Sequence, residues 1–273
     1  MIPKDAMAEA TEKLAAAGIE APREEAQKLW TAAFPRRYQD YDEATDGTAM
    51  ARFQAMVARR ALREPMAHIT GGRFFWNHRF AVTPDVLDPR PDTETLVELA
   101  LSEPFDRVLD LGTGSGCIVI SLLAERMKVT GMGTDISKNA LSVAAQNARE
   151  AEVDHALELK VSNWFEAVTC QFDLIVSNPP YISAEDMAQL QPEVRNFEPH
   201  IALTDNADGL TAYRVIAADA PHHLAPGGRL LVEIGFDQAE QVMALFKKAG
   251  LEDITCHTDL NGKDRVIAAR AKK

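Results

Sequence analysis

From residue 107 onward the chain alternates short, largely apolar runs with helical stretches, and this alternation most narrows what it can fold into. Residues 108–111, 130–135, 157–161, 172–176 and 229–234 read as strands, each too short to be a helix. Helical stretches at 117–127, 139–150 and 209–224 fall between several of them. Strands joined through helices pair in parallel, because a crossover returns the chain to the same end of the sheet. The expected fold is therefore α/β, a doubly wound and mostly parallel sheet. After Gly235 a helix at 238–249 precedes two last strands, 254–258 and 265–270. Asn261-Gly262 between them is a turn dipeptide, so an antiparallel pair at the sheet edge is expected.

The text before residue 84 is different. Residues 5–17 and 22–34 repeat apolar side chains at three- and four-residue intervals, with Gly18 closing the first helix and Pro22 opening the second. A third helix, 48–62, puts Met50, Phe53 and Val57 on one face. Arg52, Arg59, Arg60 and Arg63 lie largely elsewhere, as a solvated face or, less simply, a partner-binding one. Phe74, Trp76, His78 and Phe80 then alternate around Asn77 in a hairpin pattern. The expected organisation is a small helical N-terminal domain (1–72), a linking β-hairpin (73–83) and a catalytic domain (84–273).

Charge divides along the same line. Residues 1–83 hold 12 basic and 11 acidic residues, whereas 84–273 hold 17 and 30. An acidic body repels phosphate backbones, which argues against nucleic acid as the main substrate. Cys117, Cys170 and Cys256 are scattered with no paired spacing, so they read as reduced thiols of a cytoplasmic protein and not as a zinc site. No metal is expected. The N-terminus does not read as a signal peptide, and no apolar run approaches the roughly 20 residues that span a bilayer. A monomer is expected.

The strand at 108–111 runs into Gly112-Thr113-Gly114-Ser115-Gly116 and then a helix. Glycines let a ligand approach the backbone, and the helix start offers free N–H groups. The spacing is not the one that cradles a dinucleotide pyrophosphate, and Asp110 would sit poorly beside a phosphate. A carboxylate there suits a cationic ligand, and S-adenosylmethionine carries both an ammonium and a sulfonium. The next strand ends at Asp135, about 20 residues past Gly114, where doubly wound folds place a ribose-binding acid. Alternatively Asp135 caps the helix that begins near Ser137.

Ser177-Asn178-Pro179-Pro180-Tyr181 follows the strand at 172–176, at the end of the sheet where ligands bind. It is either a simple Pro-Pro turn or a site for a planar NH₂ group. Such a nitrogen is a poor nucleophile because its lone pair is delocalised. The Asn178 side-chain oxygen and the Pro179 carbonyl can each accept one of its N–H groups, which turns the lone pair toward a methyl donor. The prolines hold both acceptors rigid, and Tyr181 would pack on the planar group.

Several segments together resemble the protein-(glutamine-N5) methyltransferase family that modifies peptide chain release factors. These are Glu64-Pro65 with His68 to Trp76, Pro89-Arg-Pro-Asp-Thr-Glu94, Ser162-Asn-Trp-Phe165, Phe197-Glu-Pro-His200 and Asp208 to Tyr213. The resemblance implies a seven-stranded methyltransferase (Rossmann-like) sheet behind a helical, substrate-recognising N-terminal domain. It implies that Gly112 to Gly116, Asp135, Trp164 and Asn178 bind S-adenosylmethionine, leaving S-adenosylhomocysteine as product. It further implies that Asn178 to Tyr181 bind the glutamine of a Gly-Gly-Gln motif in release factors. A nucleic-acid adenine or cytosine N-methyltransferase is the alternative, since it shares the Asn-Pro-Pro-Tyr tetrapeptide. The chain departs from the family at Asp88, where an apolar residue is usual. Asn163 replaces the aspartate that usually precedes the tryptophan, which weakens the case for an acidic adenine contact there.

Overall fold

The structure is a computed structural model that describes residues 4–34 and 47–273. The reading that the N-terminus is not a signal peptide falls partly on residues 1–3, which lie outside the described residues. Helices α1 (Lys4–Ala16), α2 (Pro22–Ala33), α3 (Gly47–Ala61) and α4 (Met66–Thr70) come first, followed by the hairpin β1 (Arg73–Phe75) and β2 (His78–Phe80). Then come α5 (Glu94–Leu101), β3 (Arg107–Leu111), α6 (Cys117–Glu125), β4 (Thr130–Asp135), α7 (Lys138–Glu150), β5 (Leu157–Val161) and β6 (Phe172–Ser177). The chain ends with α8 (Pro192–Phe197), α9 (Thr211–His223), β7 (Leu224–Glu233), α10 (Ala239–Lys248), β8 (Glu252–Thr258) and β9 (Asp264–Arg270). Two compact units form: Met1–Gly72 with Gln191–Phe197, and Arg73–Leu190 with Glu198–Lys273.

In the first unit Leu14, Leu29, Trp30, Phe53 and Val57 fill the core between the helices. Gly18 turns the chain out of α1 at φ 72°, a left-handed conformation that costs glycine little. The expected helices appear with ends shifted by a residue. The arginine face needs correcting. Arg60 is buried, and its guanidinium meets Glu25 of α2, Glu193 of α8 and the Glu64 carbonyl. Arg63 reaches the other oxygen of Glu193 at 2.7 Å. A guanidinium removed from water keeps its charge only where several acceptors surround it, and here they do.

The second unit is a seven-stranded sheet in the order β5-β4-β3-β6-β7-β9-β8. β3 to β7 pair in parallel, whereas β9 runs antiparallel to both β7 and β8. Successive side chains of a strand face opposite ways, and both faces are covered. Leu109, Leu111, Ile175 and Val232 pack with Tyr213 and Ile216 of α9 and Phe246 of α10. Val108, Leu174, Val176 and Leu231 pack with Leu96 of α5 and Ile120 and Leu122 of α6. Phe75 and Phe80 of the hairpin join this second cluster.

β7 starts five residues earlier than its apolar run suggested, because Pro226-Gly227-Gly228 forms an irregularity inside the strand instead of a turn before it. The helix α5 was not anticipated; the loop 89–93 leads directly into it, and Leu96, Val97 and Ala100 are buried beneath.

Truncating Arg60 leaves Glu25 without its cation and Glu193 with Arg63 alone. Arg60→Ala should therefore destabilise the helical unit by on the order of 3 kcal/mol. The exposed Arg52→Ala should change stability by less than about 0.5 kcal/mol. Urea unfolding followed by the emission of Trp30, a core residue of this unit, compares the two.

Candidate active site

The site begins where the sheet order reverses. From β3 the chain winds through β4 and β5 to one side, then returns to place β6 and β7 on the other. Crossover connections therefore part at the carboxyl ends of β3 and β6 and leave a crevice there. Leu111 and Ser177 are register partners at that end, and the Ser177 hydroxyl donates to the Leu111 carbonyl at 2.7 Å. The glycine-rich turn leaves from the first strand and Asn178 from the second.

Within the turn Gly112, Gly114 and Gly116 all have positive φ. A Cβ on Gly116 would lie 2.6 Å from Ile120 Cδ1, so this glycine serves helix packing; one on Gly112 would meet nothing, which leaves that stretch of backbone open. Asp135 accepts from Gly114 N at 2.9 Å and from Ser137 N at 2.8 Å, and so bridges the turn to the end of β4. It is not the helix cap. That role falls to Ser137, whose hydroxyl accepts from Ala140 N. Burial raises the Asp135 carboxyl above its ordinary range, although three backbone N–H groups oppose the shift.

Asp110 is fully buried behind the turn. One carboxylate oxygen accepts from the Thr113 hydroxyl at 2.7 Å, and the other is buried without a hydrogen-bond partner. Burial pushes its carboxyl up to about 7, with Asp135 adding a little and Thr113 opposing. Asn147 of α7, unremarked in the sequence, is almost wholly buried and ties three backbone groups together. It accepts from Ala81 N, and it donates to Ala81 O and to Ser115 O in the glycine turn. Nothing in its helical periodicity announces this, because its partners are distant in the chain.

Beyond the turn lies a cavity of about 390 Å³, formed within the second unit. Gly112, Thr113, Gly114, Ser115 and Asp135 line it, and so do Trp164, Asn178 and Pro180 from the facing loops. Four expected residues are not in its wall. Asp110 and Gly116 lie behind the turn, and Pro179 is buried beneath Asn178. Tyr181 turns its ring onto the hydrophobic core and points its hydroxyl at Glu233, 3.5 Å away, so it does not stack in the cavity. Core burial of the ring outweighs exposure to the crevice. The Asn178 amide nitrogen donates to the Thr93 hydroxyl at 3.3 Å. Thr93 also lines the cavity and was passed over in the sequence, although it belongs to the 89–94 segment.

Trp164 adopts φ 51°, unusual for a side chain of its size. The loop holds it there through Ser162, whose hydroxyl donates to Trp164 O and accepts from Ala167 N. Asn163 is exposed and its amide is engaged by Glu166. Asp88 is buried and compensated by Arg73 at 2.8 Å, with Arg90 at 3.9 Å. Arg90 in turn holds the buried Glu198 at 2.7 and 2.9 Å. The polar departure at 88 is thus absorbed by the strand before it.

A carboxyl raised to about 7 leaves Asp110 protonated in the fold over a range where the unfolded chain is ionised. The fold binds the extra proton from about pH 4 to 7, so stability falls as pH rises through that window. Asp110→Asn should flatten this fall, which amounts to on the order of 3–4 kcal/mol for the wild type. Urea midpoints at pH 4.5 and 7.5 for both proteins check it; equal slopes would contradict the burial account.

Residues 5–71 match the PrmC N-terminal domain and residues 85–193 the methyltransferase small domain. A release factor glutamine methyltransferase of Cereibacter sphaeroides is 52% identical over 97% of both chains. One from Geobacter sulfurreducens is 42% identical, covering 94% of this chain and 92% of its own. A methyltransferase structure from Pyrococcus furiosus superposes with a TM-score of 0.56 at 15% identity, covering 81% of this chain and 98% of its own, which shows the shared fold alone. With this identity across its full length, the chain belongs to the release factor glutamine methyltransferase family.

Proposed function

We propose that this protein transfers a methyl group from S-adenosylmethionine to the side-chain nitrogen of the glutamine in the Gly-Gly-Gln motif of peptide chain release factors. One observation carries the reading. Asn178 sits in the cavity wall with its NH₂ spent on Thr93, so the side chain offers its oxygen to whatever enters.

The residues present fit the donor. Gly112 leaves the turn open where a side chain would project, and Asp135 supplies a carboxylate at the end of β4 for ribose hydroxyls. The buried Asp110 carboxyl lies behind the same turn, where a bound cation would draw it toward its ionised form, against the burial that pushes it up to about 7. Trp164 and Asn178 complete the pocket. Asp110 and Gly116 support the turn, whereas Gly112 to Ser115, Asp135, Trp164 and Asn178 make the contacts. When bound, S-adenosylmethionine supplies an electrophilic methyl group on a sulfonium.

The protein's own contribution is placement and polarity. The Asn178 oxygen accepts one N–H of the glutamine amide, and the Pro179 carbonyl accepts the other once the loop admits the substrate, since Pro179 itself lies outside the cavity wall. Held this way, the nitrogen keeps its lone pair toward the donor and delocalises it less into the carbonyl. Pro180 and the fixed φ of both prolines keep the acceptors from drifting. Tyr181 serves from behind, by fixing the end of the tetrapeptide: its carbonyl accepts from Gln238 at 3.0 Å. Methyl transfer leaves a positive charge on the amide nitrogen, and this cation is acidic enough to lose its proton to solvent without a strong base.

We further infer that the helical N-terminal domain docks the body of the release factor, and that the enzyme acts as a cytoplasmic monomer. Docking through a remote surface predicts a much higher kcat/KM on a whole release factor than on a short Gly-Gly-Gln peptide.

Three measurements test the reading. Asp135→Ala removes paired charge-assisted hydrogen bonds and should weaken donor binding by about 1.5–3 kcal/mol in calorimetry. Asn178→Ala should lower turnover at least roughly a hundredfold in a folded protein, because the lost acceptor acts in the transition state. Changing the target glutamine to glutamate should reduce labelled-methyl incorporation by roughly 10⁴-fold, because the acceptors would face oxygens with no hydrogen to share. Comparable incorporation into the glutamate form would mean that another atom is methylated.

A further inference from the structure

Gln238 immediately precedes α10, and it is buried outside the cavity wall. Its side-chain oxygen accepts from Gly235 N, just past β7, at 3.0 Å. Its NH₂ donates to the carbonyls of Tyr181 at 3.0 Å and of Gly209 at 3.3 Å. The orientation of the amide follows from these partners, because a backbone N–H can only donate and a carbonyl can only accept. One side chain therefore joins the end of β7 to two separate loops. Those loops meet closely. Gly209 has φ 75°, and a Cβ on it would lie 2.3 Å from the Tyr181 carbonyl oxygen, an approach that needs glycine. It brings two carbonyl groups together at a buried side chain, and an acceptor withdrawn from water needs a hydrogen. The Gln238 NH₂ supplies one to each.

Both loops reach the cavity. Tyr181 closes the tetrapeptide that carries the Asn178 oxygen and the Pro179 carbonyl. Gly209 lies in the turn 205–211, where Asp205 accepts from Ala207 N, Gly209 N and Thr211 N; Asp205, Asn206 and Thr211 line the cavity. Ile182 N and Ala184 N donate to Leu203 O and Ala207 O, so the two segments stay joined beyond Tyr181. The amino end of the tetrapeptide is held separately, by Ser177 on Leu111 and Asn178 on Thr93. Proline fixes φ and leaves ψ free, so the direction of the Pro179 carbonyl depends on both ends being held. We propose that Gln238 is a positioning residue for methyl transfer, which ties the carboxyl end of the tetrapeptide to the 205–211 wall and so keeps the two acceptors in register with that wall. With both ends held, the adjustment that brings the Pro179 carbonyl to the substrate is confined to the residues between them.

This inference rests on the reading of Asn178 and Pro179 as acceptors for the target amide, and its test separates the two. Gln238→Met keeps the length of the side chain and removes all three hydrogen bonds. Gln238→Glu keeps the acceptor for Gly235 N, yet ionised or protonated it offers at most one hydrogen where the amide offers two. A residue that served only the start of α10 would be replaced by glutamate without loss. The positioning role predicts that both variants lower kcat on a whole release factor roughly tenfold to a hundredfold. Here kcat is counted per molecule that binds S-adenosylhomocysteine in calorimetry, so unfolded protein does not enter. KM for the release factor and affinity for S-adenosylhomocysteine should stay within about twofold, because the lost bonds act on the placement of the reacting nitrogen. Gly209→Ala, which forces the two loops apart with Gln238 intact, should show the same loss. Combined with Gln238→Met it should be little slower than the worse single variant, since both release the same contact. Normal kcat in Gln238→Glu, or a loss confined to donor affinity, would overturn the role of Gln238. If the Gln238 variants do not fold, Gly209→Ala decides, and a normal kcat there refutes the clamp. Normal turnover in Asn178→Ala would instead overturn the reading beneath it.

Discussion

The parallel pairing of β3 with β6 governs everything that matters in this molecule. The two strands lie far apart in the chain, yet Leu111 and Ser177 end in register, and a side-chain hydrogen bond of 2.7 Å links them across the pair. Because the crossovers depart in opposite directions at this point, the loops after these strands face a common crevice. A glycine turn that exposes backbone and a rigid tetrapeptide that exposes an amide oxygen are thereby brought to one cavity. Slipping the register by one residue would turn every strand side chain to the opposite face. The tight covering of both faces by α5, α6, α9 and α10 excludes that slip.

Around this crevice the protein buries carboxylates that an economical core would avoid. Asp110 and Glu233 lie beneath the two functional loops, each with one oxygen unsatisfied and each pushed toward neutrality by burial. Isolated buried ionisable groups destabilise a fold unless something compensates them. Elsewhere cations offset the buried charge, as for Glu198 with Arg90 and Arg60 with Glu25 and Glu193, and Asp88 meets Arg73 although its other oxygen is also without a partner. Neither Asp110 nor Glu233 has a cation within ion-pair distance among the described residues, and both lie beneath loops that line the cavity, which is where a tuned protonation state has a use.

Much of this was legible in the sequence. Every strand from 107 to 270 was anticipated, because a run of four to six residues between turn signals and helices is too short for a helix and, in an α/β alternation, admits few other conformations. The glycine turn, Asp135 and Asn178 were legible because a strand end fixes where its loop must face. What escaped was relational. Thr93 and Asn178 are 85 residues apart, and Asn147 reaches Ala81 across 66. No local pattern encodes such pairs; only the closed sheet brings them together. Tyr181 read as a stacking ring, but the ring finds a dry core within reach and takes it. Arg60 read as solvated because helix periodicity locates a face without revealing that Glu193 would come back to cover it.

The central claim is that two fixed acceptors, the Asn178 oxygen and the Pro179 carbonyl, hold the target amide by both of its N–H groups. The direct test is a structure of this protein with S-adenosylhomocysteine and a release factor bound, at a resolution that fixes the amide from its hydrogen-bond network. The account predicts the glutamine nitrogen within about 3 Å of both acceptors, with the Asn178 NH₂ still on Thr93. A glutamine whose carbonyl oxygen, and not its nitrogen, meets Asn178 would contradict it.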